Sequence, residues 1–205
     1  MLKQFKQSIQ WRWEDFTRSM RSLFARPGTQ WARIVMDREM ETFFRSIGSG
    51  SRDALEISGS KWENSGFKTY RSLQFPDYDL CQEPAVAAAY DLVIAEQVLE
   101  HVRRPYRAVR NVWEMLRPGG IFAVNTPFLI RVHEDPEDYS RWTEKGLRQL
   151  LVEGGFEESA VQTGSWGNRA CVRATLSHWA GWIPWMDSLE NEPQFPVVVW
   201  AFAKK

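Results

Sequence analysis

From Asp53 onward the sequence predicts an α/β fold with a mainly parallel sheet and helices on both faces. Three observations carry this. Short apolar runs alternate with stretches of helical periodicity, Gly, Ser and Pro turns bound them, and the chain closes on a long β-type run at 196–203.

The elements follow in order. Ala54-Leu55-Glu56-Ile57 is the first strand, ended by the turn Ser58-Gly59-Ser60. Tyr70-Arg71-Ser72-Leu73 is a weaker second strand, and Tyr90-Asp91-Leu92-Val93-Ile94-Ala95 is a buried one. Pro105 suits the first turn of a helix. Tyr106, Val109, Val112, Trp113 and Leu116 then form one apolar stripe at steps of three and four. Arg117-Pro118-Gly119-Gly120 ends that helix before the strand Ile121–Asn125. Thr143 is placed to cap a helix with Leu147, Leu150 and Leu151 on its core side, closed by Gly154-Gly155. Val161 begins a further strand. Gly164-Ser165-Trp166-Gly167-Asn168-Arg169 reads as a polar loop, either an ordinary turn or a flap over substrate.

Before this repeat, Gln4–Leu23 mixes aromatic and basic residues at irregular helical spacing until Arg26-Pro27-Gly28 breaks it. Trp31–Ile47 is a second helical stretch, with Ile34, Val35, Met40, Phe43 and Phe44 at near-helical intervals, stopped at Gly48-Ser49-Gly50. Residues 1–50 are therefore expected to form a helical cap on a domain spanning 51–205.

The 205 residues, 43% hydrophobic and 25% charged, fit one globular domain with a sizeable core. Equal numbers of basic and acidic residues, 26 each, argue against nucleic acid as the partner. Residues 1–38 carry a surplus of five positive charges, which reads as a solvated helix side, with a basic N-terminal face as the alternative. Cys81 and Cys171 stand far apart in no metal-ligand spacing, so reduced thiols in a cytoplasmic protein and no metal site are expected. No apolar run reaches the ~18 residues of a membrane span, and no secretory signal is evident.

The most specific segment runs from Tyr90 to Phe128. YDLVIAEQVLEHV, an intervening helix, and LRPGGIFAVNTPF resemble the central block of class I S-adenosylmethionine-dependent methyltransferases. The resemblance continues through His133-Glu134-Asp135-Pro136-Glu137-Asp138-Tyr139-Ser140-Arg141-Trp142-Thr143 and the closing Val199–Lys205, as in a bacterial subgroup, and covers about residues 53–205. It implies a Rossmann-like fold with a seven-stranded sheet, the last strand antiparallel, and S-adenosylmethionine as cofactor.

On this resemblance the cofactor would rest on Glu56, Ser58, Gly59 and Ser60. An acidic residue and a glycine-rich loop are usual there, and Trp62 stands in place of the last glycine. Gln74 (or Asp77, if the strand runs longer) falls where ribose hydroxyls are accepted. Asp79 and Leu80 fall beside the adenine, and Glu96 and Gln97 at the end of the central strand. Methyl transfer is an in-line displacement at a sulfonium carbon, which demands alignment, exclusion of water and a destination for the acceptor's proton. His133 is the candidate general base, with Tyr139 and Arg141 orienting a small-molecule acceptor, such as a hydroxylated sugar or other metabolite. The alternative for these three is a loop held together by its own ion pairs. His101 and Glu100 read as braces of the turn that follows the strand. Trp179, Trp182 and Trp185 read as core packing, with an acceptor lip or a shallow membrane contact as alternatives.

Two other functions fit less well. A methyltransferase-like module that binds without turnover would explain the irregular loop. A nicotinamide-dependent oxidoreductase would need G-x-G-x-x-G opening a helix, which Ser58–Glu63 does not supply.

Overall fold

The computed structural model describes residues 19–21, 23–176 and 178–205. Most of the expected Gln4–Leu23 segment lies outside them.

The strands are β1 (Asp53–Ile57), β2 (Thr69–Leu73), β3 (Tyr90–Glu96), β4 (Leu116–Pro127), β5 (Val161–Trp166) and β6 (Val198–Lys204). The helices are α1 (Arg33–Ser46), α2 (Pro105–Met115), α3 (Glu144–Glu153) and α4 (Arg169–Thr175). One sheet runs in the order β2-β1-β3-β4-β6-β5. β1 to β4 pair in parallel and β6 is antiparallel to both its neighbours.

Among the described residues six strands form, not seven. The missing one would lie between β2 and β3, and its absence has a local cause. Asp79 Oδ1 accepts from the Cys81 amide at 2.8 Å and the Gln82 amide turns back onto Asp79, so the chain winds up. The Ala88 and Ala89 amides then bond to the carbonyls of Glu114 and Met115 at the end of α2. These backbone groups are satisfied by a helix terminus instead of a strand.

The βα alternation expected from residue 53 holds only in the second half. β1 reaches β2 through residues 58–68 and β2 reaches β3 through residues 74–89, and both connections contain turns but no helix. Parallel strands are more often joined by a helical crossover.

Alternation along the strands sorts the core into two layers. Leu55, Ile57, Val93, Ala95, Phe122 and Val124 face α2 and α3 in a largely aliphatic layer. Ala54, Leu92, Ile94, Ala123 and Phe202 face the other way, into a layer dense in aromatics: Trp31, Phe44, Trp62, Trp166 and Trp200. α1 belongs to this second layer, burying Met36, Met40 and Phe44 at steps of four while Ile34 and Val35 stay partly exposed.

Other boundaries shift as well. α2 buries Ala108, Val109, Val112 and Met115, and Tyr106 of the expected stripe is exposed. Arg117–Gly120 is an irregular entry into β4, where the register jumps from Tyr90↔Leu116 to Leu92↔Ile121. Thr143 caps α3 as expected, its hydroxyl accepting from the Gly146 amide at 3.1 Å. The 164–169 segment is not one continuous loop: 164–166 complete β5, and after Gly167 Asn168 caps α4 by accepting from the Cys171 amide at 2.8 Å. Gly164 is required there, because a Cβ would stand 2.6 Å from the Trp200 indole on the neighbouring strand.

Among the described residues no helix is long and apolar enough to cross a membrane.

Candidate active site

The carboxyl ends of β1, β2 and β3 open onto a cavity of about 1090 Å³, where an open α/β sheet places its ligands. Ile57 and Ser58 enter from β1, Gln74 and Phe75 from β2, and Gln97 and Val98 from β3. Tyr78, Asp79, Leu80 and Cys81 form one wall, His101 to Arg104 the rim, and Asp135, Glu137 and Tyr139 reach in from the loop after β4. Asn111 anchors the first wall, its buried amide donating to the Leu80 carbonyl at 2.7 Å.

Two lining residues have left-handed backbones that side chains normally avoid, Ser58 at φ 52° and Gln97 at φ 55°. The Ser58 amide donates to Leu73 O at 2.7 Å, and the Gln97 amide to Asn125 O at 3.0 Å. Both strand ends are pinned at the point where the chain turns away from the sheet. Gln74 Nε2 donates to the Gly59 carbonyl at 3.0 Å, so the amide oxygen remains for a ligand hydroxyl.

The other side of the same loop is closed. Parity along the strand places Glu56 beneath α1, away from Ile57, and Glu96 likewise lies beneath α1. Glu56 is buried, accepting from the Lys61 and Trp62 amides at 3.2 and 3.0 Å and from the Tyr70 hydroxyl at 2.6 Å. It braces the loop and does not line the cavity. Burial, followed by this bond to Glu56, pushes the Tyr70 phenol up. Trp62 is buried edge-on to Phe44, and its indole donates to Glu96 at 2.7 Å. Lys61 Nζ lies 3.0 Å from Glu96 and also pairs with Asp37, while Arg33 of α1 bonds Glu96 as well. Burial and the neighbouring Arg33 hold the Lys61 ammonium below its usual range. Ser60 and Glu96 accordingly stand outside the cavity.

On the far rim lies a cluster the chain spacing does not reveal. Glu100 is fully buried after β3. Its Oε2 accepts from Thr126 at 3.3 Å, while Oε1 has no hydrogen-bond donor. His101 Nε2 stands 3.6 Å and His133 Nε2 4.0 Å from that oxygen. The rings meet edge to face at 5.0 Å. The Nδ1 of His101 is 2.5 Å from Glu137 O, and that of His133 is 3.5 Å from Asp138 Oδ2. Both nitrogens of His133 therefore face carboxylates, and neither is aimed at the cavity. His101, expected only to brace, does line it.

Desolvation pushes the Glu100 carboxyl up to about 7. Burial, then the positive field of His101, lowers the His133 imidazole. Arg141 clamps Asp138, which also accepts the His133 amide at 2.9 Å, so Arg141 is a strut of this loop. Tyr139 lines the cavity, with Arg103 donating to its hydroxyl at 3.3 Å. Trp179 touches His133 with ring centroids 5.2 Å apart, but it is exposed, as is Trp185, so neither is core packing.

The sequence of residues 50–122 matches the family described as a methyltransferase domain. A probable S-adenosylmethionine-dependent methyltransferase of Mycolicibacterium smegmatis is 32% identical over 85 residues, 38% of this chain and 33% of the relative. The matched region thus spans about a third of that relative's length. Among solved structures, an S-adenosylmethionine-dependent methyltransferase of Mesorhizobium loti superposes with TM-score 0.55 at 15% identity, covering 80% of this chain and 96% of its own. Phosphoethanolamine N-methyltransferase 2 of Haemonchus contortus, solved with S-adenosyl-L-methionine, gives 0.56 at 9% identity over 82% of this chain and 52% of its own. These two likenesses establish the fold: a Rossmann-like α/β sheet of the class I methyltransferase type. Residues 50–122 add to this fold a sequence match to the methyltransferase-domain family over part of the chain.

Proposed function

We propose that the chain transfers the methyl group of S-adenosylmethionine to a small hydroxylated acceptor, a sugar or a similar metabolite. One observation carries this reading: the cavity opens at the ends of β1, β2 and β3 and is lined by Ser58, Gln74, Asp79, Leu80 and Gln97. Gln74 offers an acceptor for ribose hydroxyls. Leu80, Tyr78, Phe75 and Val98 supply apolar surface for a purine. Glu56 and Gly59 serve the cofactor indirectly, by fixing the loop that carries Ser58.

The chemistry asked of the protein is modest. The sulfonium charge disperses as the S–CH₃ bond breaks and the O–CH₃ bond forms, so alignment and dryness supply most of the rate. The acceptor's proton passes to solvent at the rim of the cavity, where His101 lines the wall and Tyr139 orients the acceptor. His133 faces Glu100 and Asp138 and positions this rim and is not a lone base.

Titration calorimetry with S-adenosylhomocysteine tests the reading. Binding is expected, weakened about five- to tenfold by Gln74→Ala, which removes a hydrogen bond worth roughly 1 kcal/mol. No heat at millimolar ligand overturns it. A second reading, a module that binds without turnover, is favoured by one feature: Arg33, Lys61 and Trp62 close on Glu96 where β3 ends. Binding without methylation of any acceptor in a panel of sugars and phenols would support it.

A further inference from the structure

We propose that Glu100, His101 and His133 form a binding site for one divalent transition-metal ion at the edge of the cavity. The argument begins with an unmet need. Glu100 Oε1 is buried, without a donor, and aimed between two imidazoles. A buried carboxylate oxygen left without a donor carries the desolvation penalty of the group uncompensated. What faces it are the Nε2 atoms of both histidines, and the three donor atoms lie within 4.8 Å of one another.

The spacing suits an ion. Two donors each about 2.1 Å from one metal stand roughly 3.0–3.6 Å apart at angles of 90–120°. The 3.6 and 4.0 Å separations from Oε1 to the two nitrogens come within a few tenths of an ångström of this, and all three groups offer donor atoms within 4.8 Å of one another.

The outer groups agree with this assignment. A ligating imidazole usually turns its other nitrogen to a carbonyl or carboxylate, which fixes the tautomer and raises the basicity of the ligating atom. Here His101 Nδ1 stands 2.5 Å from Glu137 O, and His133 Nδ1 faces Asp138 Oδ2 at 3.5 Å without a hydrogen bond. Asp138 is held by Arg141, and the Tyr139 amide bonds Glu100 O at 2.7 Å, tying the two ligand-bearing segments together. Of the nearby cations, Arg141 is held on Asp138, while Arg131 lies over the Trp179 ring at 4.9 Å with its buried Nη1 unpartnered.

Two imidazoles and one carboxylate suit zinc or iron(II) better than magnesium or calcium, and three protein ligands leave coordination positions open. His101 lies on the cavity wall, so an open position faces the space assigned to the acceptor. An oxygen-bearing acceptor is the ligand class that position would take. This last point rests on the methyl-transfer reading; metal binding itself does not.

Cobalt(II) is the probe, added to untagged, chelator-treated full chain and read by its visible absorption bands. One ion per chain is expected. Affinity should fall at least about 100-fold in His133→Ala and in Glu100→Gln, the latter keeping the side-chain volume. No bands at millimolar cobalt with the unaltered chain overturns the proposal, as does equal binding by Glu100→Gln and His133→Ala. S-adenosylhomocysteine titrated separately into the same preparation shows whether the cofactor site stands independently of the metal.

Discussion

The two halves of the sheet are built differently. From β3 to β6 the crossovers carry α2 and α3, with α4 following β5, and the expected apolar stripes are largely in place. From β1 to β3 no helix intervenes, and side chains take over the bracing. Glu56 holds the β1–β2 connection through three donors, and Trp62 plugs it against α1. The half from β1 to β3 is thus held by a few specific contacts, while the other half is held by distributed helix packing. A connection of this kind concentrates stability in single residues.

The largest test of that contrast is Trp62→Ala. A buried tryptophan truncated to alanine costs about 3–5 kcal/mol where the site cannot collapse, and urea unfolding should show a loss in that range. A loss below about 1 kcal/mol would mean that the first half does not depend on its wedge. Next comes Glu56→Gln, which keeps the volume but turns an amide N–H₂ toward the Lys61 and Trp62 amides. A loss of about 2 kcal/mol is expected, again by urea unfolding. A neutral result would show that the brace is dispensable.

Acid unfolding gives a smaller effect. Asp53 is held below the ordinary 3.8 by hydrogen bonds from Arg117 and Thr69. For Asp91 burial pushes upward, but the Asp53 amide and Arg117 outweigh it and the net shift is down. Groups with lowered folded values stabilise the fold above the unfolded value and lose that contribution as pH falls through the folded one. Arg117→Gln should therefore be less stable than the parent at pH 6, with the difference gone by about pH 2. A constant difference across that range would show that Arg117 acts by packing.

The sheet was legible because buried parallel strands announce themselves as apolar runs, as in Tyr90–Ala95 and Ile121–Asn125. Thr143 and Pro105 marked helix starts through backbone chemistry that is local in sequence. The missing strand was not legible, since Asp79 diverts the chain by a side-chain bond that competes with pairing. Glu96 looked like a cofactor ligand by position. Counting by twos from Leu92 puts it on the aromatic face with Glu56, a signal present in the sequence that the resemblance masked. The cluster of Glu100, His101 and His133 was out of reach, because it joins two segments through the fold of the loop after β4.

The finest test concerns a single dihedral angle. Ser58 sits at φ 52° in the cavity wall, at a place where the family usually carries glycine. A left-handed conformation costs a side-chain-bearing residue about 1 kcal/mol or more, and glycine adopts it freely. Against this, glycine gives the unfolded chain extra freedom worth roughly 0.5–1 kcal/mol. Ser58→Gly should therefore gain only about 0.5 kcal/mol in urea unfolding, with S-adenosylhomocysteine binding retained. Should the variant instead lose both stability and affinity, the Ser58 hydroxyl would be contributing a contact that outweighs the strain. The first half would then be tuned to its ligand at this residue, and not merely tolerant of a substitution.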